Sequence, residues 1–167
     1  MQTTSSSDTS QLQRGVPAPQ PLSHEHCAHT HRLTTVADDT FVELLGAYRH
    51  SGGLARADEV VMLLERCGLA GVASLARWIV ERSVISFEWQ QQTWLPWFQF
   101  QRAGLLPDPA LRAVFAELDT VYDGWEMAHW FARPNSALAG GAPLQRIASD
   151  PGAVLEAARA DRYVVRG

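Results

Sequence analysis

The sequence predicts a mainly α-helical protein, a helical bundle with a small β-hairpin that follows a helix-turn-helix. Apolar residues recur at helical spacing through most of the chain after residue 37. Two short stretches in which apolar and polar residues alternate flank three consecutive glutamines at 90–92, which is typical of a hairpin. The chain has 167 residues, 46% of them hydrophobic, and is therefore long enough to bury a core.

Residues 1–37 are rich in Ser, Thr, Gln, Pro and His, and we expect them to form a disordered tail. The tail holds five side chains of metal-binding type within eight residues: His24, His26, Cys27, His29 and His31. No second cluster is present to close a metal site around them. The sequence therefore favours a solvated tail over a metal centre, and it predicts no cofactor.

Residues 38–104 are predicted to form a helix followed by a winged helix-turn-helix-like region. The first helix ends at Gly52-Gly53, and we expect it to cover the unit that follows. The next unit begins at Ala55 and contains two helices separated by a turn between Gly68 and Gly71. The expected apolar faces of the three helices are Phe41, Leu44, Leu45 and Tyr48; Val60, Leu63, Leu64 and Cys67; and Val72, Leu75, Ala76 and Ile79.

The hairpin is expected to follow these helices, because apolar residues alternate over 84–89 and again over 94–100. Its polar tip is Gln90 to Gln92. This order of elements resembles a winged helix-turn-helix of small bacterial regulators. The resemblance implies that the second helix of the pair enters the DNA major groove and that the hairpin tip rests on the backbone or minor groove. The candidate DNA-contacting residues are Ser74, Arg77, Arg82 and Gln91.

Residues 105–167 contain four predicted helix starts, one of them at Pro143. Asp108-Pro109 and Asp150-Pro151 each combine an N-cap with a first-turn proline. Asp123 and Glu126 have the spacing of a capping box, and the helix they open must end before Pro134. The apolar positions of the first and last of these helices are Leu111, Val114, Phe115, Leu118, Val154, Leu155 and Ala158.

The motif Trp130-Phe131-x-x-Pro134-Asn135, followed by Leu138-x-Gly140-x-x-Pro143-Leu144, resembles the toxin-binding domain of the Xre/MbcA/ParS-like antitoxins. The resemblance covers the C-terminal third, and it implies an all-helical domain that dimerises and caps the active site of a partner toxin, often one that consumes NAD. Ala142 departs from the polar or basic residue expected there. The toxin-binding residues that the resemblance implies are Trp130, Asn135, Leu138, Gly140, Pro143, Arg159, Arg162 and Tyr163.

Charge and motif content argue against several other functions. The formal net charge is −4, and five arginines between residues 53 and 104 are balanced by five acidic residues, so DNA binding would have to be local. His129 lies mid-helix without a nucleophile nearby in sequence, which favours a packed histidine. Cys67 belongs to an expected apolar face and should be inert. We predict no catalytic site, no membrane contact and a cytoplasmic location.

The sequence thus leads to one main function and two alternatives. The main prediction is an antitoxin-like protein that forms a homodimer, occludes a partner toxin with its C-terminal helical domain and also binds promoter DNA for autoregulation. The first alternative is a DNA-binding transcriptional regulator without a toxin partner. The second is an interaction scaffold whose histidine tail holds a metal. Removal of the chain from Asp150 onward should release the toxin without unfolding residues 38–145.

Overall fold

The computed structural model describes residues 38–167, so the expected disordered tail and its histidine cluster lie outside the described residues. Helices dominate the described part and a three-stranded antiparallel sheet lies among them, which confirms the mainly α prediction. In chain order the elements are α1 (38–48), β1 (Leu54–Arg56), α2 (Ala57–Arg66), α3 (Gly71–Val80), β2 (Phe87–Trp89), β3 (Gln92–Pro96), α4 (Arg112–Leu118), α5 (Gly124–Ala132), α6 (Pro143–Arg146) and α7 (Pro151–Arg166).

Strand β1 is absent from the sequence prediction, which placed a helix start at Ala55. Ala55 instead pairs with Leu95 of β3, and β2 pairs with the opposite edge of β3, so the strand order is β1-β3-β2. Helix α2 begins only after Arg56, whose backbone is extended and whose N–H donates to the Glu59 carboxylate at 2.9 Å. A strand of three residues is too short to give a periodic signal.

The hairpin is present, with a turn at Gln90-Gln91. Both residues are left-handed, with φ of 47° and 59°. Two consecutive positive φ values are those of a type I′ turn, which matches the twist of a hairpin. Strand β3 is shorter than the alternation suggests, because Trp97–Gln99 forms a 3-10 turn directly after Pro96. Gln99 is fully buried in that turn, where its side chain bonds the N–H and carbonyl of Ile85 at 2.6 and 2.9 Å.

Two apolar clusters form the core. One combines α1 with α4, α5 and α7, and the other combines α2 and α3 with β3. The hydroxyl of Tyr48 in α1 donates to the carbonyl of Ala128 in α5 at 2.8 Å. Helix α1 also packs on the hairpin of the unit that follows it, where the ring of Phe41 stacks on that of Trp89 at a centroid distance of 3.7 Å. The packing of α1 thus includes the hairpin and also crosses the predicted domain boundary at residue 104. Leu45, expected on the buried face, is 39% exposed.

The buried face of α3 also differs from the prediction. Leu75 and Trp78 are buried, whereas Val72 is 65% exposed and Ala76 is also exposed. Both faces of this helix are rich in apolar residues, so periodicity alone does not choose between them. At the end of α2, Cys67 is exposed, which contradicts its assignment to an apolar face.

The helix starts of the C-terminal region follow the sequence closely. The Asp123 carboxylate accepts from the N–H of Glu126 at 2.8 Å, and Glu126 accepts from the N–H of Asp123 at 2.9 Å, which confirms the capping box. Asp150 likewise accepts from the N–H of Ala153 at 2.9 Å. Helix α5 ends at Ala132, before Pro134, as predicted. The predicted apolar positions 111, 114, 115, 118, 154 and 158 are buried.

Candidate partner-binding surface at the end of the C-terminal helix

Helix α7 is buried along its first half. Val154, Ala157 and Ala158 lie in the core, where α7 packs against α4. Removing the whole helix would therefore open the core as well as remove a surface. We therefore expect truncation before Asp150 to destabilise residues 38–145 as well, which makes it a poor test of the surface alone.

Asp161 attaches the middle of α7 to the predicted toxin-binding motif. The Nε1–H of Trp130 in α5 donates to Asp161 Oδ2, and Nδ2 of Asn135 donates to the same oxygen at 3.0 Å. Hydrogen bonds to a charged acceptor are stronger than neutral ones. The structure thus brings together Trp130 and Asn135, both predicted as site residues, through an aspartate that the sequence analysis did not select.

Glu117 of α4 attaches α7 on another side. It accepts from Arg159 Nε at 3.2 Å and lies 2.6 Å from Arg162 Nη1. Arg159 also pairs with Glu156 at 2.7 Å, and these hydrogen bonds with Glu117 and Glu156 raise its pKa. Two predicted contact residues, Arg159 and Arg162, are therefore held by one carboxylate that is itself mostly buried.

The turn between α5 and α6 places the rest of the motif. Asn135 Oδ1 accepts from the N–H of Ala137 at 2.9 Å, and the Asn135 carbonyl accepts from the N–H of Gly140 at 3.0 Å. Gly140 has φ of +80°, a left-handed conformation that glycine adopts without a steric penalty. Leu138 and Pro143 are buried, so they support the surface from below.

The last turn of α7 projects apolar side chains into solvent. Tyr163 is 81% exposed, Val164 is 75% exposed and Val165 is 52% exposed. We call Tyr163, Val164 and Val165 the apolar tip. The sequence analysis selected Tyr163 but missed the two valines. The two valines could have been found from the sequence, because the periodic apolar face of this helix ends at Ala158. Apolar residues beyond that point, such as Val164 and Val165, are therefore expected to be exposed.

The DNA candidates are less closely grouped. Arg77 is exposed on α3, Gln91 is exposed at the hairpin turn, and Ser74 is partly buried. Arg82 lies beyond the end of α3 with φ of 54°, and its Nη1 lies 2.6 Å from Asp119 Oδ1. The exposed side of α3 therefore presents Arg77 among apolar residues, and Arg82 is paired within the chain.

A cavity of about 380 Å³ lies beside α5 and the middle of α7. Tyr122, Trp125 and Trp130 contribute aromatic side chains to its wall, and we call it the indole pocket. His129 also lines it, and burial, with the nearby charge of Arg133, lowers the His129 pKa against a smaller opposing effect of Glu43. His129 is buried, as expected from the sequence.

Within residues 38–167, no group of three or more His, Cys, Asp or Glu side chains is arranged to hold a metal ion. In the same residues, no helix combines the length and apolar character that crossing a membrane requires. Comparison with known proteins adds no relative, since no family model, no curated protein and no solved structure matches the chain.

Proposed function

We propose that this chain is an antitoxin-like protein that binds a partner toxin with the end of α7 and blocks the entrance of the toxin's active site. The observation that carries the proposal is the combination of a fixed helix base with an exposed apolar tip. Tyr163, Val164 and Val165 are consecutive and point to different sides of the helix, so a partner that encloses the helix end would cover all three. The motif around Trp130 and Asn135 supports the antitoxin class of partner through its resemblance.

The base of α7 gives the tip a defined position. Asp161 joins the helix to Trp130 and Asn135, and Glu117 joins it to Arg159 and Arg162. A surface that is fixed before binding loses less conformational entropy when a partner docks. The apolar tip is then available for insertion into a concave partner surface, where a tyrosine is a frequent source of binding energy.

The arginines around the tip set the charge of the surface. Arg159 and Arg162 are paired with Glu117 and Glu156, and Arg166 in the last turn forms no ion pair within residues 38–167. Complementary charge mainly sets orientation and association rate in protein complexes. We therefore propose a partner with a carboxylate at the rim of an apolar opening, within reach of Arg166. The homodimer and the consumption of NAD by the partner are part of the same proposal and rest on the resemblance.

A truncation after Arg162 tests this function without removing the core of α7. Tagged full-length protein and the truncated protein would each be used for affinity capture from the native host, with mass spectrometry of the bound proteins. We expect one protein to be captured by the full chain and lost with the truncation. That protein should arrest growth when expressed alone and should be neutralised by co-expression of the full chain.

The matched control is Val80→Ser, which changes a similarly exposed apolar side chain on α3. It should capture the partner as the unchanged protein does. Near-ultraviolet circular dichroism would show that both variants are folded. Capture that survives the truncation, or a captured protein that is harmless when expressed alone, would contradict the proposal.

A DNA-binding regulator remains the second candidate, because one observation favours it. The order β1, α2, α3, β2, β3, with the hairpin turn following a helix pair, is the order of a winged helix-turn-helix. The test is fluorescence anisotropy with the DNA upstream of the protein's own gene and with a scrambled fragment. This candidate requires tighter binding to the first DNA and weaker binding on Arg77→Ala. Equal binding to both DNAs would remove it.

A further inference from the structure

The indole pocket has the size and wall of a small-ligand site. Its volume of about 380 Å³ falls within the range of roughly 300–1,000 Å³ that such sites occupy. Tyr122, Trp125 and Trp130 line it, and none of the three is fully buried. The pocket thus offers aromatic faces that a ligand can reach.

The charged groups of the pocket give it a net negative charge. Glu126 and Asp161 contribute two carboxylates, and Arg133 contributes one guanidinium, so the sum is −1 when His129 is neutral. Burial, and then the charge of Arg133, lower the pKa of His129, which favours the neutral form of that side chain. The pKa of Tyr122 is raised by burial and then by the charges of Asp161 and Glu126. Both carboxylates therefore act on the same part of the pocket.

Hydrogen-bonding capacity remains on the carboxylates of the wall. Nε2 of His129 has no hydrogen-bond partner among residues 38–167, but this atom is buried, so a ligand in the pocket does not reach it. Trp130 and Asn135 both donate to Oδ2 of Asp161, and a carboxylate has further acceptor positions on its second oxygen.

We propose that the indole pocket binds a guanidinium group, carried either by a free small molecule or by an arginine side chain of a partner protein. A guanidinium is planar and stacks on aromatic rings, and its five N–H donors match carboxylate acceptors. It carries no acceptor, so it suits a wall that offers the oxygens of Glu126 and Asp161. An anionic group would meet two carboxylates, and a neutral apolar group would leave the net negative charge of the pocket unbalanced.

The test uses N-acetyl-argininamide as the probe and the neutral N-acetyl-citrullinamide, which has nearly the same shape, as its control. Titrations would be followed through the indole N–H resonances of Trp125 and Trp130 in 1H–15N spectra, assigned with Trp→Phe variants. We expect saturable shifts with the arginine probe, with a Kd on the order of 1 mM, and at least tenfold weaker binding of the citrulline probe. Equal binding of the two probes, or no shift with either, would overturn the proposal.

The variant Glu126→Gln sharpens the test because glutamine also serves in a capping box. It removes one charge from the pocket while it retains the helix start. Glu59→Gln is the matched control, since Glu59 likewise accepts from the N–H of the N-cap residue at the start of α2 and lies outside the pocket. We expect Glu126→Gln to weaken the arginine probe at least fivefold and Glu59→Gln to leave it unchanged. An unchanged Kd for Glu126→Gln would count against the guanidinium site.

A third probe distinguishes a free small molecule from an arginine side chain of a partner protein. It is a capped peptide with one central arginine flanked by alanine and glycine. Binding at least tenfold tighter than N-acetyl-argininamide indicates an arginine of a partner chain, because main-chain atoms then add contacts. Equal binding indicates a small molecule. The proposal does not depend on the partner toxin, since it is tested on the isolated full chain.

Discussion

Helices α3 and α7 both present apolar side chains to solvent, but the two surfaces are built differently. On α3 the exposed residues Val72, Ala76 and Val80 recur at intervals of four along the outer side of the helix. On α7 they are confined to the last turn, beyond a half that is buried in the core. Both helices are fixed by buried residues, since Leu75 and Trp78 of α3 also lie in the core, so the two surfaces differ in shape: a stripe along one side of α3 and an exposed end of α7.

Charge does not separate the two surfaces. Arg159, Arg162 and Arg166 at the end of α7 are balanced by Glu117, Glu156 and Asp161. The outer side of α3 carries Arg77 followed four residues later by Glu81, so its charges cancel as well. A cancelled charge is a weak basis for binding DNA, whose affinity depends on phosphate neutralisation.

The largest effect is expected from substitutions that compare the buried side of α3 with its exposed side. Leu75→Ala removes a buried side chain and should lower the free energy of unfolding by about 2–5 kcal/mol. Val72→Ala, three residues earlier on the exposed side, should change it by less than about 0.5 kcal/mol. Urea denaturation followed by circular dichroism measures both. A similar loss for both variants would mean that Val72 is covered in solution.

The choice of face on α3 shows where sequence reasoning stops. Val72, Leu75, Ala76 and Ile79 fit a helical period, yet only Leu75 of the four is buried. The buried face instead includes Trp78, which packs near Phe100. Which of two apolar faces is buried depends on contacts distant in sequence, and a pattern along one helix does not contain them.

Local signals were more dependable. The capping box of Asp123 and Glu126, and the helix stop before Pro134, depend on atoms a few residues apart, so the sequence alone predicts them. In the candidate partner-binding surface, some residues were predicted from the sequence and others were found only in the structure. Trp130 and Asn135 were predicted from a motif. Asp161, which bonds both of them, lies 31 residues after Trp130, and Glu117, which pairs with Arg162 of α7, lies on α4. Their role required the fold.

The next expected effect tests the attachment of α7. Asp161→Ala removes the acceptor of Trp130 and Asn135, and should lower the free energy of unfolding by about 1.5–3 kcal/mol because charged hydrogen bonds are lost. Glu156→Ala, on the exposed side of the same helix, should cost less than about 1 kcal/mol. Urea denaturation compares the two. Equal effects would show that Asp161 does not anchor the helix.

The protonation of His129 should make the free energy of unfolding depend on pH. Its pKa lies below the ordinary value of 6.5 in the folded chain, mainly because of burial, so the unfolded chain binds the proton more readily. The free energy of unfolding should therefore fall as the pH drops below 6.5 and level off below the folded pKa. His129→Gln should flatten this part of the curve of stability against pH, whereas the exposed His50→Gln should not. An unchanged curve for His129→Gln would show that another group controls it.

The smallest expected effect concerns the ion pair that links the end of α3 to α4. Arg82 pairs with Asp119 at 2.6 Å, but the arginine side chain is 62% exposed. Arg82→Gln should therefore lower the free energy of unfolding by less than about 1 kcal/mol, and by even less in high salt.

Arg82 also has a left-handed backbone, which costs a residue other than glycine about 1–2 kcal/mol. Arg82→Gly loses the same pair but removes that cost, so it should be more stable than Arg82→Gln by about 1 kcal/mol. Urea midpoints of the two variants, measured at low and at high salt, separate the ion pair from the backbone. If Arg82→Gly were the less stable of the two, the greater backbone freedom of glycine in the unfolded chain would outweigh the relief of the left-handed conformation.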